Sequence, residues 1–210
     1  EMGWRVVNDA MQIMGGESYP VENEIERAFR DSRINLIVEG TNDVMHTFVF
    51  GYGGKQLVEQ LVSLQQALFW DRDQSITGNI RRIVFNICKP TILSRAVPLA
   101  LEMIFGIKLN LPHVTKLHPT LSSQAVRLAK MVQNHSHQFK RMSNKFREKI
   151  MNMQTIQMRL SENAMWIHAV VCALSKLDQQ IANNESGIEF ERDKAAAFHF
   201  IDLAELAVNE

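Results

Sequence analysis

Apolar residues recur at helical spacing along most of the chain. Trp4, Val7, Met11 and Met14 keep the 3, 4, 3 steps of one helix face, and Gly15-Gly16 end it. Residues 17–40 are irregular and charged, with room for a short helix around Glu24–Asp31. Thr41-Asn42-Asp43 offers three capping residue types just before Val44, Met45, Phe48 and Val49, which predicts a helix start. Gly51, Gly53 and Gly54 are expected to interrupt that helix, because each glycine lowers its propensity. Spacing resumes through Leu57, Val58, Leu61, Val62, Leu64 and Leu68, and residues 71–78 read as a turn or linker.

The second half of the chain is more regular. After His118-Pro119, Leu121, Ala125, Leu128, Val132, His135, Phe139, Met142, Phe146 and Ile150 form one stripe. Ile156, Leu160, Ala164, Ile167, Val171, Leu174, Leu177 and Ile181 form the next. Residues 183–187 are a turn by composition, and a third long helix follows over 188–208. Short connections between long amphipathic helices predict an antiparallel bundle. No run alternates with strand period, so the predicted class is all-α.

Composition narrows the function classes. The 210 residues are 46% hydrophobic, too many for a disordered chain. The 23 Lys+Arg balance 23 Asp+Glu, which excludes a surface that is basic all round. Locally the balance breaks. Residues 79–108 hold five basic residues and one acid, Glu102, within densely apolar sequence. Charges and Pro90 and Pro98 interrupt it too often for a transmembrane helix of about 20 residues. It reads either as an amphipathic membrane-surface element or as a helix pair packed on the bundle. Residues 127–149 carry seven basic residues and one acid. Without an aromatic platform this face is expected to pair with the acid-rich region after Val171 rather than with nucleic acid. Cys88 and Cys172 each stand alone in apolar sequence and read as buried thiols. His135 falls on the core stripe as a satisfied core residue, and His137 is expected in solvent; the seven histidines show no metal-ligand spacing. Met151, Met153, Met158 and Met165 read as core filler.

Chemistry concentrates in residues 10–45. Glu39 follows Ile34, Leu36, Ile37 and Val38, and Gly40 follows it. An apolar approach to a carboxylate strengthens it as a base, a neighbouring glycine lets a ligand come close, and a helix start offers N–H donors. A capped helix preceded by a surface glutamate is the plainer reading.

The residues also carry a family resemblance. Gln12-Ile13-Met14-Gly15-Gly16, Glu22, Arg27, Arg30-Asp31, Arg33-Ile34 and Val38-Glu39-Gly40-Thr41-Asn42-Asp43 resemble the C-terminal signature of the acyl-CoA dehydrogenases. Leu117-His118-Pro119 with the helix after it, and residues 157–175, resemble the additional C-terminal domain of the very-long-chain members. The resemblance implies an all-α end of the catalytic domain over 1–70 and an additional helical domain over 71–210. It implies that Glu39 is the base that removes the α-proton of a fatty acyl-CoA, and that Gly40 touches this substrate. Thr41, Asn42 and Asp43 would contact FAD, and Gln12, Ile13, Met14, Gly15 and Gly16 would reach the FAD of a neighbouring subunit, hence a homodimer. The product would be a trans-2-enoyl-CoA of fatty acid β-oxidation, with electrons passed to an electron-transferring flavoprotein. The location would be the cytoplasm of a bacterium or the mitochondrial matrix of a eukaryote.

The chain departs from the family at two positions. Ser18 stands where a third glycine is common, and Val38 where an aromatic residue commonly precedes the base. The chain opens at Glu1-Met2-Gly3-Trp4, with nothing of capping type before a helix already in phase. It is therefore expected to be a piece of a longer polypeptide, inactive alone because the parts that hold the flavin ring and acyl chain are absent. Two other readings stay open: a non-catalytic helical module that docks a membrane or partner, and an acyl-CoA oxidase, which uses the same base but returns electrons to oxygen.

Overall fold

A computed structural model describes residues 2–68, 75–108 and 111–209. Among them every regular element is helical: α1 (Met2–Met14), α2 (Glu24–Ile34), α3 (Asn42–Leu68), α4 (Ile76–Ile87), α5 (Pro90–Phe105), α6 (Ser122–Phe146), α7 (Gln154–Ala182) and α8 (Ile188–Asn209). The all-α expectation therefore holds. Contacts divide the chain into two compact units, Glu1–Val49 and Phe50–Glu210, so the division falls within α3. The boundary expected at 70/71 falls on residues outside the described ones.

In the first unit α1 and α2 form a hairpin. The rings of Trp4 and Phe29 lie 4.4 Å apart, and the Arg33 guanidinium sits 5.2 Å above the Trp4 ring. The Asn23 side chain starts α2 by accepting from the Ile25 N–H at 2.9 Å, which satisfies one first-turn donor.

In the second unit α6, α7 and α8 enclose the main core. Leu128, Met131, Ile167, Val170, Leu174, Ile201, Ala204 and Val208 are buried together. Val170 is wholly buried and Val171 is 42% exposed, so the inner position is one residue earlier than the stripe of alternate 3 and 4 steps selects. Arg127 on α6 donates to Glu205 at 2.8 and 3.0 Å and to Asp202 at 2.6 Å on α8. These bonds, Glu205 first, hold the guanidinium pKa above its ordinary value. The basic helix and the acidic region thus pair as expected. The long stripe does not run through one helix to Ile150: α6 ends at Phe146, and a 3-10 stretch over Arg147–Asn152 turns the chain, with Arg147 at φ 48°.

A second cluster gathers Phe50, Phe139, Ile150 and Leu160. It explains why the glycines do not interrupt α3, which continues through them to Leu68. A Cβ at Gly54 would lie 2.3 Å from Cζ of the buried Phe139 ring, so here glycine lets an aromatic ring seat against the backbone. Gly54→Ala gains about 1 kcal/mol of helix propensity, and the overlap costs about 1–3 kcal/mol. The expected outcome is a net loss of about 1 kcal/mol in urea denaturation, whereas Gly51→Ala, with open space around it, stabilises.

Four further expectations are corrected. Residues 71–74 lie outside the described ones, but Ser75 is a cap rather than linker: its hydroxyl accepts from the Gly78 N–H at 3.2 Å and α4 begins at once. Cys88 and Cys172 are exposed. Cys172 lies about 200° round α7 from both Val170 and Leu174, on the opposite face. His137 is not in solvent but donates to or accepts from Glu102 at 3.1 Å, beside Lys140 at 2.9 Å, because the lone acid of 79–108 packs on α6. Met151 and Met165 face outward.

His135 does lie within the packed face, yet its Nδ1 is buried without a hydrogen-bond partner. Burial lowers its pKa below the ordinary 6.5. The unfolded chain then binds the proton more readily than the folded one. Its contribution to stability is present above about pH 6.5 and is lost as pH falls through the folded value. Thermal melts at about pH 7.5 and about pH 5 check this: His135→Leu is expected to shrink the difference between them.

Candidate functional site

The stretch between α2 and α3 is a compact turn rather than an irregular loop. The Ile34 carbonyl accepts from the N–H groups of Ile37 and Val38, both at 2.9 Å, winding the chain past the end of α2. The Leu36 carbonyl then accepts from Asn42 N–H at 3.3 Å, and the Thr41 carbonyl accepts from Met45 N–H at 2.9 Å. Thr41 is therefore the cap position of α3. An α-helix offers no intrahelical acceptor to the next two N–H groups, those of Asp43 and Val44.

Between those bonds the backbone passes through the left-handed region twice, at Glu39 (φ 58°) and Gly40 (φ 115°). A Cβ at Gly40 would meet only ordinary contacts, with Met45 Sδ at 3.5 Å, so backbone conformation and not space requires glycine there. Glutamate has no such licence. A non-glycine residue held at positive φ costs on the order of 1 kcal/mol and concentrates at functional positions. The strain thus falls on the residue singled out as the base.

The expected shielding is not seen within this unit. Glu39 is exposed, and Ile34, Ile37 and Val38 around it are about half exposed. These side chains surround the carboxylate with apolar surface, but no described residue of the unit covers it.

Gln12, Ile13, Met14, Gly15 and Gly16 end α1 and begin a 3-10 turn, and all five are exposed. Gly15 takes φ 62°, and nothing lies within 4 Å of a Cβ built on either glycine, so the backbone is open to close approach. Ser18 is buried, at 2% exposure, and its hydroxyl reaches the Gly15 carbonyl at 2.7 Å and the Met11 carbonyl at 3.1 Å. Asn23 adds a second tie, donating from Nδ2 to the Glu17 carbonyl at 2.8 Å. Sequence reading marked Ser18 only as a missing glycine. Its place three residues after a left-handed helix stop was the available signal.

The two groups of candidate residues do not meet in one chain. Trp4 near the start of α1 packs on Phe29 and Arg33 in the second half of α2, so the hairpin is antiparallel. Gln12–Gly16 and Glu39–Asp43 therefore lie at its opposite ends, about 15–20 Å apart along a 13-residue helix.

Residues 1–50 match the family described as acyl-CoA dehydrogenase, C-terminal domain. Those fifty residues are acyl-CoA dehydrogenase sequence. Similarity to proteins of this family extends further along the chain. The very long-chain specific acyl-CoA dehydrogenase, mitochondrial, of Rattus norvegicus is 27% identical over 192 residues, 91% of this chain. Its counterpart in Homo sapiens is 28% identical over the same length. A probable acyl-CoA dehydrogenase of Bacillus subtilis (strain 168) is 41% identical over 70 residues, covering 30% of this chain and 12% of that protein. The chain spans 27% of the length of the two mammalian relatives.

The resemblance implies FAD, and the described residues fit its polar end. The first turn of α3 presents N–H donors beside the exposed Thr41 hydroxyl, which suits a phosphate, and the Asp43 carboxylate suits a sugar hydroxyl. The unobstructed backbone at Gly15 and Gly16 suits a flat ligand lying close.

Proposed function

We propose that this chain supplies the base, a substrate-contacting glycine and two FAD-contacting segments to an acyl-CoA dehydrogenase that converts fatty acyl-CoA into trans-2-enoyl-CoA. The observation that carries the reading is the strained Glu39–Gly40 pair set directly before the α3 start, within residues that match the family. The Glu39 carboxylate takes the α-proton of the thioester. That proton is weakly acidic, so the apolar face of Ile34, Ile37 and Val38 has to be closed to water when substrate is bound. Gly40 leaves room for the acyl-CoA beside the turn. When bound, FAD supplies the acceptor for the β-hydrogen, and an electron-transferring flavoprotein takes the electrons onward. The placement of Gln12–Gly16 and Glu39–Asp43 at opposite ends of one hairpin supports a homodimer, in which each loop serves the partner's cofactor. The mammalian relatives are named mitochondrial, which supports the mitochondrial matrix as the location.

The test compares the whole encoded polypeptide with its Glu39→Gln variant on a long-chain acyl-CoA, using a dye acceptor under nitrogen. Equal rates overturn the assignment of the base. Turnover that requires oxygen and ignores the dye places the protein with the oxidases.

A second reading concerns α4 and α5. No single helix among the described residues is long and apolar enough to cross a membrane, and the two pass that measure only together, as a pair bent by 90°. Ile80, Val84, Phe85, Ile104 and Phe105 are exposed along them, and Arg81, Lys89 and Arg95 are exposed on the same pair. Apolar side chains with flanking cations suit the headgroup layer of an anionic bilayer. Co-sedimentation with phosphatidylglycerol vesicles is expected to fall about tenfold in Arg81→Glu/Lys89→Glu, at about 1 kcal/mol for each basic residue near the surface. Undiminished binding overturns this reading.

A further inference from the structure

We propose that Ser18 is a positioning residue that turns the Gly16 amide N–H outward, toward the FAD held by a neighbouring subunit. The inference rests on the cofactor reading above and adds to it a residue where the chain departs from the family. The Ser18 hydroxyl has one proton, and its nearer acceptor is the Gly15 carbonyl at 2.7 Å; the Met11 carbonyl at 3.1 Å is the farther. Both acceptors lie on the inner side of the turn, since the hydroxyl that reaches them is buried. In a trans peptide the carbonyl and the following N–H point in opposite directions. Holding the Gly15 carbonyl inward therefore directs the Gly16 N–H outward.

The outer side is open. Gly15 and Gly16 are exposed, with nothing within 4 Å of the position of an added Cβ at either. Gly15 at φ 62° permits the abrupt end of α1 that brings this peptide to the surface. A glycine at position 18 would leave the Gly15 carbonyl without this donor and the peptide freer to rotate. The Tyr19 N–H, bonded to the Gly16 carbonyl at 3.3 Å, closes the same turn and reports on its order.

The test uses Ser18→Ala and Ser18→Gly in the whole encoded polypeptide, since both remove the hydroxyl but differ in bulk and backbone freedom. Three quantities are measured: FAD affinity by flavin fluorescence, turnover at saturating FAD, and amide hydrogen exchange over residues 15–19 in flavin-free protein. Both variants are expected to bind FAD about tenfold more weakly, the effect of one lost orienting hydrogen bond. Turnover recovers to the wild-type rate at saturating FAD, and exchange over 15–19 quickens with the melting temperature unchanged. Wild-type FAD affinity in either variant overturns the proposal. So does a lowered melting temperature with turnover that excess FAD does not restore, which marks Ser18 as structural only. If the unsubstituted polypeptide takes up no FAD, the cofactor reading fails, and that control separates the two failures.

Discussion

Glu39→Gln in the whole encoded polypeptide is expected to lower dehydrogenation by about 10²–10⁴-fold, the usual contribution of a positioned general base. The substitution keeps the length and shape of the side chain and removes only its capacity to take a proton. Glutamine accepts φ 58° no worse than glutamate, so the turn from Ile34 to Thr41 has no reason to change. FAD affinity and melting temperature should therefore match the parent protein. The loss should appear in kcat as well as kcat/KM, because the interaction removed is one made with the leaving proton. Stopped-flow reduction of the flavin by a long-chain acyl-CoA measures the step directly. A rate within threefold of the parent, with FAD bound, would move the base elsewhere.

The largest expected effect on stability is at Leu174. It is 1% exposed, at the centre of the core shared by α6, α7 and α8. Leu174→Ala removes three carbons from a site walled by residues of three helices that cannot all collapse inward. The cost is about 3 kcal/mol, which lowers the melting temperature by roughly 10 °C in a domain of this size. Val171→Ala is the matched control. Val171 stands on the predicted stripe but is 42% exposed, and its truncation should cost under about 0.5 kcal/mol. Circular-dichroism melts of the two variants decide the register: equal losses would mean that Val171, not Val170, faces the core.

The α7 case shows where sequence reading runs out. Steps of 3 and 4 locate a stripe, yet at 100° per residue two neighbours often straddle its edge. Which of Val170 and Val171 turns inward depends on where α6 and α8 lie, and that is not written along α7. Glu102 teaches the same lesson with charge. The sequence showed one acid among five bases in 79–108, but His137 and Lys140 became its partners only because α5 packs on α6. Gly54 reads as a helix breaker until Phe139, far along the chain, is found against it.

The sequence by itself determined the helical class, the start of α3 at Thr41-Asn42, the bundle helices to within a turn, and the matching of a basic helix to an acidic region. These depend on local quantities: periodicity, caps, and net charge by segment. It also marked Glu39 and Gly40, because residue type and order within a short turn are local as well. Only the tertiary structure decided that Glu39 sits at positive φ on an uncovered apolar face, and that the glycine loop lies at the other end of its hairpin. Those outcomes depend on how α1 packs against α2 through Trp4, Phe29 and Arg33 and on where the turn bonds fall. Such contacts are set by the relative placement of helices, which no spacing along the chain encodes.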